Sequence, residues 1–191
     1  MPSAGKAVIG LSLFLSSFPG LAPLRAQPVN ADAQRVLRII EKIEKEGSRG
    51  PGGASRKEVV SETELNAYIA YRIAFEKEEI MKELRLKLLP RNSVEGKIFI
   101  DLSSKRIPGF LKPQMNVYFA GTLETEGPKV RVHVESLFLE EQRIQTALLD
   151  MIISVVSRFE KMEPVSIEDW YDLPYGIRKL ETRTGELVVS Y

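Results

Sequence analysis

The chain has 191 residues, no cysteine, one histidine, and 27 Lys and Arg against 26 Asp and Glu. The lack of cysteine excludes disulfides, thiolate catalysis and the common zinc-finger arrangements. The near-balanced charge gives no electrostatic case for a nucleic-acid partner.

Residues 1–26 read as a secretory signal peptide. "MPSAGK" is a short n-region with one lysine, "AVIGLSLFLSSF" is an apolar run of 12 residues, and "LAPLRA" ends on a small residue before Gln27. The run falls short of the ~20 residues that a membrane-spanning helix needs. Cleavage is expected after Ala26, which makes the protein exported, periplasmic or secreted. An uncleaved anchor is the alternative, because Leu24 suits the third position before the cut poorly. Without cysteine, a lipid-modified cysteine near the cleavage site is excluded. About 165 residues then remain, enough for one domain with its own core.

"NADAQRVLRIIEKIEKEG" carries Val36, Leu37, Ile40 and Ile43 at three-four spacing, which predicts an amphipathic helix capped by Asn30 or Asp32 and ended by Gly47. "GSRGPGGAS" follows, with four glycines and a proline in nine residues, and reads as a flexible linker. Residues 27–57 are therefore expected to be a tethered helix plus linker, set apart from a body at 58–191. "VVSETELNAYIAYRIAFEKE" predicts the next helix. Ser61 and Glu64 form a capping box, Val60 and Leu65 are placed to staple its entry, and Leu65, Tyr68, Ile69, Arg72 and Ile73 share one face.

The period then changes to two. "ELRLKLL", "VEGKIFIDL", "QMNVYFAGTLE" and "KVRVHVESLFLE" alternate apolar and polar residues, which describes antiparallel strands with one buried face. "QRIQTALLDMIISVVSRFEKM" returns to helix over 142–162, about 30 Å long by its rise, with an apolar stripe including Leu148, Ile152 and Val156. "DLPYGIRKLETRTGELVVSY" closes with a turn and a two-stranded hairpin. The absence of strand–helix alternation argues against a parallel sheet, so the expected class is α+β.

Candidate chemistry is sparse. His133 lies on the polar face of its strand and should point to solvent. The carboxylate groups at 62 and 64, at 76, 78 and 79, and at 140 and 141 sit at helix ends and have no spacing that suggests a paired-carboxylate hydrolase. Trp170 and Tyr171 read as an aromatic plug over one end of the core, with an interfacial anchor as the alternative. "LSSKRIPGFLKP" reads as an ordinary connection, or as a basic loop with apolar tips that touches an anionic membrane surface. No metal or cofactor is expected. The one-sided strands and helices can pack flat and dry, or the sheet can curl around a helix and leave an apolar groove.

Two motifs carry a resemblance. "SETELNAYIA" resembles the opening of small periplasmic relatives in the tubular lipid-binding (TULIP) superfamily. Leu173, Pro174, Gly176 and Ile177, then Gly185, Leu187 and Val189, resemble the ending of the LmeA-type bacterial phospholipid-binding proteins. The order of elements over 59–191 fits that family, whereas the helix and linker at 30–58 depart from it. The resemblance implies a curved antiparallel sheet wrapped on a long amphipathic helix, with an apolar groove for acyl chains and no catalytic residues. The function expected is non-enzymatic binding of phospholipid or another amphiphile, with lipid transfer in the cell envelope. Ile69, Ile73, Phe119, Leu148, Ile152 and Val156 are the residues expected to line the groove. The alternative is a structural or interaction protein of the envelope whose core is closed and dry. A hydrolase comes third.

Overall fold

The computed structural model describes residues 30–47, 56–77, 79–105, 107, 109, 112–160 and 166–191, the side chains of 156 and 158–160 excepted. The expected signal peptide, the linker over 48–55, and Arg106, Phe110 and Leu111 of the basic loop lie outside the described residues.

The elements in chain order are α1 (Ala31–Gly47), β1 (Lys57–Ser61), α2 (Glu62–Phe75), β2 (Met81–Leu88), β3 (Ser93–Asp101), β4 (Gln114–Glu126), β5 (Lys129–Leu139), β6 (Gln142–Arg143), α3 (Thr146–Glu160), β7 (Tyr171–Asp172), β8 (Lys179–Arg183) and β9 (Glu186–Ser190). Asn30 caps α1, its Oδ1 accepting from the Asp32 amide at 3.0 Å. The capping box of α2 forms as expected. Ser61 Oγ accepts from the Glu64 amide at 3.3 Å, and Glu64 Oε2 accepts from the Ser61 amide at 2.8 Å. Val59, Val60 and Ser61 are extended rather than helical, because they pair with β9 before the cap turns the chain.

All pairings are antiparallel. One sheet runs β2-β3-β4-β5-β6, with β7 also on β5, and a second runs β1-β9-β8. Together they make a strongly curled half-barrel packed against the helices. Two features curl it. Opposite Ala120 and Gly121 the register skips Glu135, a bulge that bends β5. The Phe119 ring also lies across Gly96 on the neighbouring strand, where a Cβ would fall 2.1 Å from the ring. The small sheet is joined to the large one at the β2–β3 turn. The Thr182 amide donates to Asn92 Oδ1 at 3.0 Å, its hydroxyl donates to the Leu89 carbonyl at 2.7 Å, and the Gly185 amide donates to the Leu88 carbonyl at 2.9 Å.

Three expectations change. The helix expected from 142 begins at Thr146, because Gln142 and Arg143 turn back on Phe138 and Leu139 around Glu140 at φ 54°. α3 therefore has 15 residues, about 22 Å of rise. The last strand, expected as one half of a two-stranded hairpin, also pairs with β1 and so occupies the centre of β1-β9-β8. Finally, α1 is not set apart from the body. Val36, Ile39 and Ile43 belong to the same buried cluster as Ile69, Phe119 and Val189.

Candidate site beneath the first helix

A cavity of about 100 Å³ lies inside the half-barrel, roofed by Val36, Ile39, Ile40 and Ile43 of α1. Its walls come from both sheets and include Phe119, Val130, Val132, Leu187 and Val189. The 173–177 segment closes one end through Leu173, Pro174 and Ile177. Among the lining side chains, Tyr68 and Thr182 carry hydroxyls, and both are already engaged. Tyr68 Oη accepts from Arg72 at 3.0 Å, and Thr182 donates to Leu89. A buried water needs two to four polar partners, so this space suits hydrocarbon and not water. Apolar cavities of about 150 Å³ stay dry and take up small hydrocarbons.

The roof fits closely at its C-terminal end. Gly176 stands at φ +94°, and a Cβ there would approach the Ile43 carbonyl oxygen to 3.0 Å. Only glycine meets both demands, a left-handed backbone and contact with the helix. The Leu-Pro-Tyr-Gly-Ile motif is thus the seat of α1 as well as a turn.

The rim of the roof is charged and exposed. Arg35 Nη1 lies 2.5 Å from Glu64 Oε2, and Arg35 Nη2 donates to the Val59 carbonyl at 3.2 Å. Lys42 Nζ lies 2.5 Å from Glu58 Oε1 and 6.0 Å from the centroid of the Tyr191 ring. Arg56 Nη1 lies 2.6 Å from Glu46 Oε2. The bond to Glu58, helped by Tyr191, raises the Lys42 pKa above its ordinary value, and the bond to Glu46 does the same for Arg56. Burial alone would raise the Glu64 pKa, but the Ser61 amide and Arg35 outweigh it and hold that pKa low.

α2 forms the adjoining wall and is fixed by bonds to backbone. Asn66 donates to the Leu86 carbonyl at 2.7 Å and accepts from the Leu86 amide at 2.8 Å. Glu62 Oε2 accepts from the Leu88 amide at 2.7 Å. Both side chains cover the edge of β2, where bare backbone would otherwise invite another strand. Arg72 is buried and bonds Tyr68 and Glu76. Burial opposes its charge, but Tyr68 and Glu76 outweigh that and raise its pKa, while burial raises that of Tyr68.

Glu140 and Glu141, expected at a helix end, lie instead in the turn between β5 and β6. Glu140 accepts from the Asn116 amide at 2.7 Å, and that bond lowers its pKa. His133 is 58% exposed, as expected, with Nδ1 3.7 Å from Glu168. Trp170 lies under the Arg131 guanidinium at 4.5 Å, and Tyr171 donates to the Ser166 carbonyl at 2.7 Å. Burial pushes the Tyr171 pKa up to about 12. Among the described residues, no cluster of metal-ligating side chains occurs and no helix is long and apolar enough to cross a membrane.

Of the six residues expected to line a groove, the five whose side chains are described do not line one common cavity. Phe119 lines the roofed cavity. Ile73 borders a separate open cleft of about 950 Å³ between α2 and β2–β4, whose mixed lining includes Ala70, Lys87 and Tyr118. Ile69 and Ile152 are buried in the common core, Leu148 is half-buried, and the Val156 side chain lies outside those described. What the sequence reading missed is the contribution of α1 and of 173–177. The signal was present in the apolar stripe of α1 and in the Leu-Pro-Tyr-Gly-Ile motif. No protein-family model matches this chain, and a search of curated proteins finds no match.

Proposed function

We propose that the protein binds phospholipid or a similar amphiphile without catalysing a reaction, taking its apolar tail into the half-barrel beneath α1. On this reading it is an exported protein of the cell envelope, a distant relative of the TULIP superfamily. It would touch the membrane peripherally to load and unload. The observation that carries the proposal is the wholly apolar, hydroxyl-satisfied cavity with a helix for a roof. Each methylene transferred from water to such a space gains about 0.8 kcal/mol. At about 100 Å³ the closed form accommodates only the end of a tail, so deeper entry requires α1 to withdraw.

The test is native mass spectrometry of the full chain purified from its own envelope, combined with titration of a neutral naphthylamine dye. Co-purified lipid and dye fluorescence that lipid displaces are expected. Absence of both would overturn the proposal. One observation favours a second reading, that of a structural or interaction protein with a closed core. The cavity of about 100 Å³ is smaller than the ~300 Å³ at which ligand pockets commonly begin. That reading predicts neither lipid nor dye uptake.

A further inference from the structure

The geometry points to a headgroup subsite at the edge of the α1 seat: Arg56, Glu58 and Tyr191 receive the phosphate and ammonium of a zwitterionic phospholipid once α1 withdraws. This inference rests on the amphiphile reading above and adds the class of headgroup.

In the closed form the subsite is filled by α1 itself. Lys42 Nζ lies 2.5 Å from Glu58 and sits over the Tyr191 ring, while Glu46 lies 2.6 Å from Arg56. Lys42 and Glu46 are one helical turn apart and therefore neighbours on the helix surface, about 5–6 Å between Cβ atoms. Arg56 and Glu58 are two residues apart on extended chain and point the same way, about 7 Å apart. Arg56 is held there by reciprocal backbone bonds with Tyr191 at 3.0 Å. A cation and an anion on one short spacer are what a zwitterionic headgroup presents, an ammonium joined to a phosphate by two carbons. Lys42 also precedes Ile43, whose buried side chain lines the cavity. The pair that imitates a headgroup is thus attached directly to the group that occupies the tail's place.

The same rim discriminates against acidic lipids. When α1 leaves, Glu58 and Glu64 lose Lys42 and Arg35. An ammonium satisfies Glu58 and has the Tyr191 face beside it. A glycerol headgroup brings the same phosphate without an ammonium, so Glu58 is left unpaired beside an uncompensated negative charge.

The experiment uses the full chain and two lipids below their micelle concentrations, diheptanoyl phosphatidylcholine and diheptanoyl phosphatidylglycerol, each displacing the neutral dye. Phosphatidylcholine is expected to bind roughly five- to ten-fold more tightly. The Arg56→Gln/Glu58→Gln variant should lose that ratio, although releasing α1 tightens its binding of both lipids. Lys42→Gln/Glu46→Gln removes the imitation and leaves the subsite intact, so both lipids should bind roughly five-fold more tightly with the ratio kept. Glycerophosphocholine, which has no tails, should not displace the dye. Equal affinities in the natural chain, a ratio that survives Arg56→Gln/Glu58→Gln, or no tightening in Lys42→Gln/Glu46→Gln would each overturn the subsite while leaving amphiphile binding in place. If neither dye nor lipid binds to any folded variant, the amphiphile reading itself fails and the subsite fails with it.

Discussion

α1 and α2 lie side by side and share one core, yet the chain secures them by different means. α2 is bonded to backbone through its first turns, by the Ser61–Glu64 capping box, Glu62 to Leu88 and Asn66 to Leu86, and farther along it buries the Arg72–Tyr68 pair. α1 is held by an apolar stripe, by ion pairs to Glu58, Glu64 and Arg56, and by an exposed bond from Arg35 to the Val59 carbonyl. Exposed pairs of this kind contribute little and weaken with salt. Hydrophobic contact is non-directional and can be exchanged for contact with another apolar body, whereas a backbone amide deprived of its acceptor cannot easily be satisfied elsewhere. On the proposed reading, one helix is part of the frame and the other is a removable roof.

Two isoleucines test this contrast most strongly. Ile69 in α2 and Ile43 in α1 are both essentially fully buried. Truncation to alanine removes the same atoms, at a cost of about 3 kcal/mol. Ile69→Ala should lower the global unfolding free energy by that full amount, read from the urea midpoint. Ile43→Ala should cost less globally, because the loss cannot exceed the energy that docks α1. Its effect should appear instead as faster amide exchange in α1. Equal losses at both positions would erase the distinction. Next in size, Asn66→Ala leaves the Leu86 amide and carbonyl without their side-chain partner and should cost about 2 kcal/mol in the same denaturation assay. Ser61→Ala should cost about 1 kcal/mol and fray the first turn of α2.

The smallest effect is that of pH. The folded state holds the Glu64 pKa below its ordinary value of 4.5, so its contribution is present above that value and is lost as pH falls through the folded pKa. Between about pH 6 and about pH 3, exchange of the α1 amides should rise modestly as Arg35 loses its partner. The Lys42 pKa is raised, so its pair with Glu58 contributes fully below 10.5 and is lost only at higher pH. α1 should accordingly show no change between neutral pH and pH 9, a result that amide exchange corrected for intrinsic rate can check.

The sequence exposed those parts of the fold whose signals are local. The capping box at Ser61 and Glu64, the period-two runs at 83–102 and 114–140, and the buried Arg72 on the apolar face of α2 were readable because each depends on neighbours a few residues away. β1, β6 and β7 were not: β6 and β7 have two residues each, too few to alternate, and β1 runs straight into a capping box and is extended because it meets β9. The candidate site was less legible still. Its walls join Val36 to Phe119 and Leu187 across most of the chain, and no periodicity encodes that convergence. The glycine-rich segment after Gly47 suggested that α1 stands apart, but a tether says nothing about where the tethered helix docks. Gly176 was read as a turn residue and is also the point where that helix makes contact.

Amide hydrogen exchange over α1 and α2 in the full chain, with and without a short-chain phosphatidylcholine, tests the removable roof most directly. The account predicts that the α1 amides exchange through an opening of lower free energy than those of α2, and that lipid accelerates exchange in α1 while leaving α2 protected. A single opening free energy shared by both helices, unmoved by lipid, would contradict it.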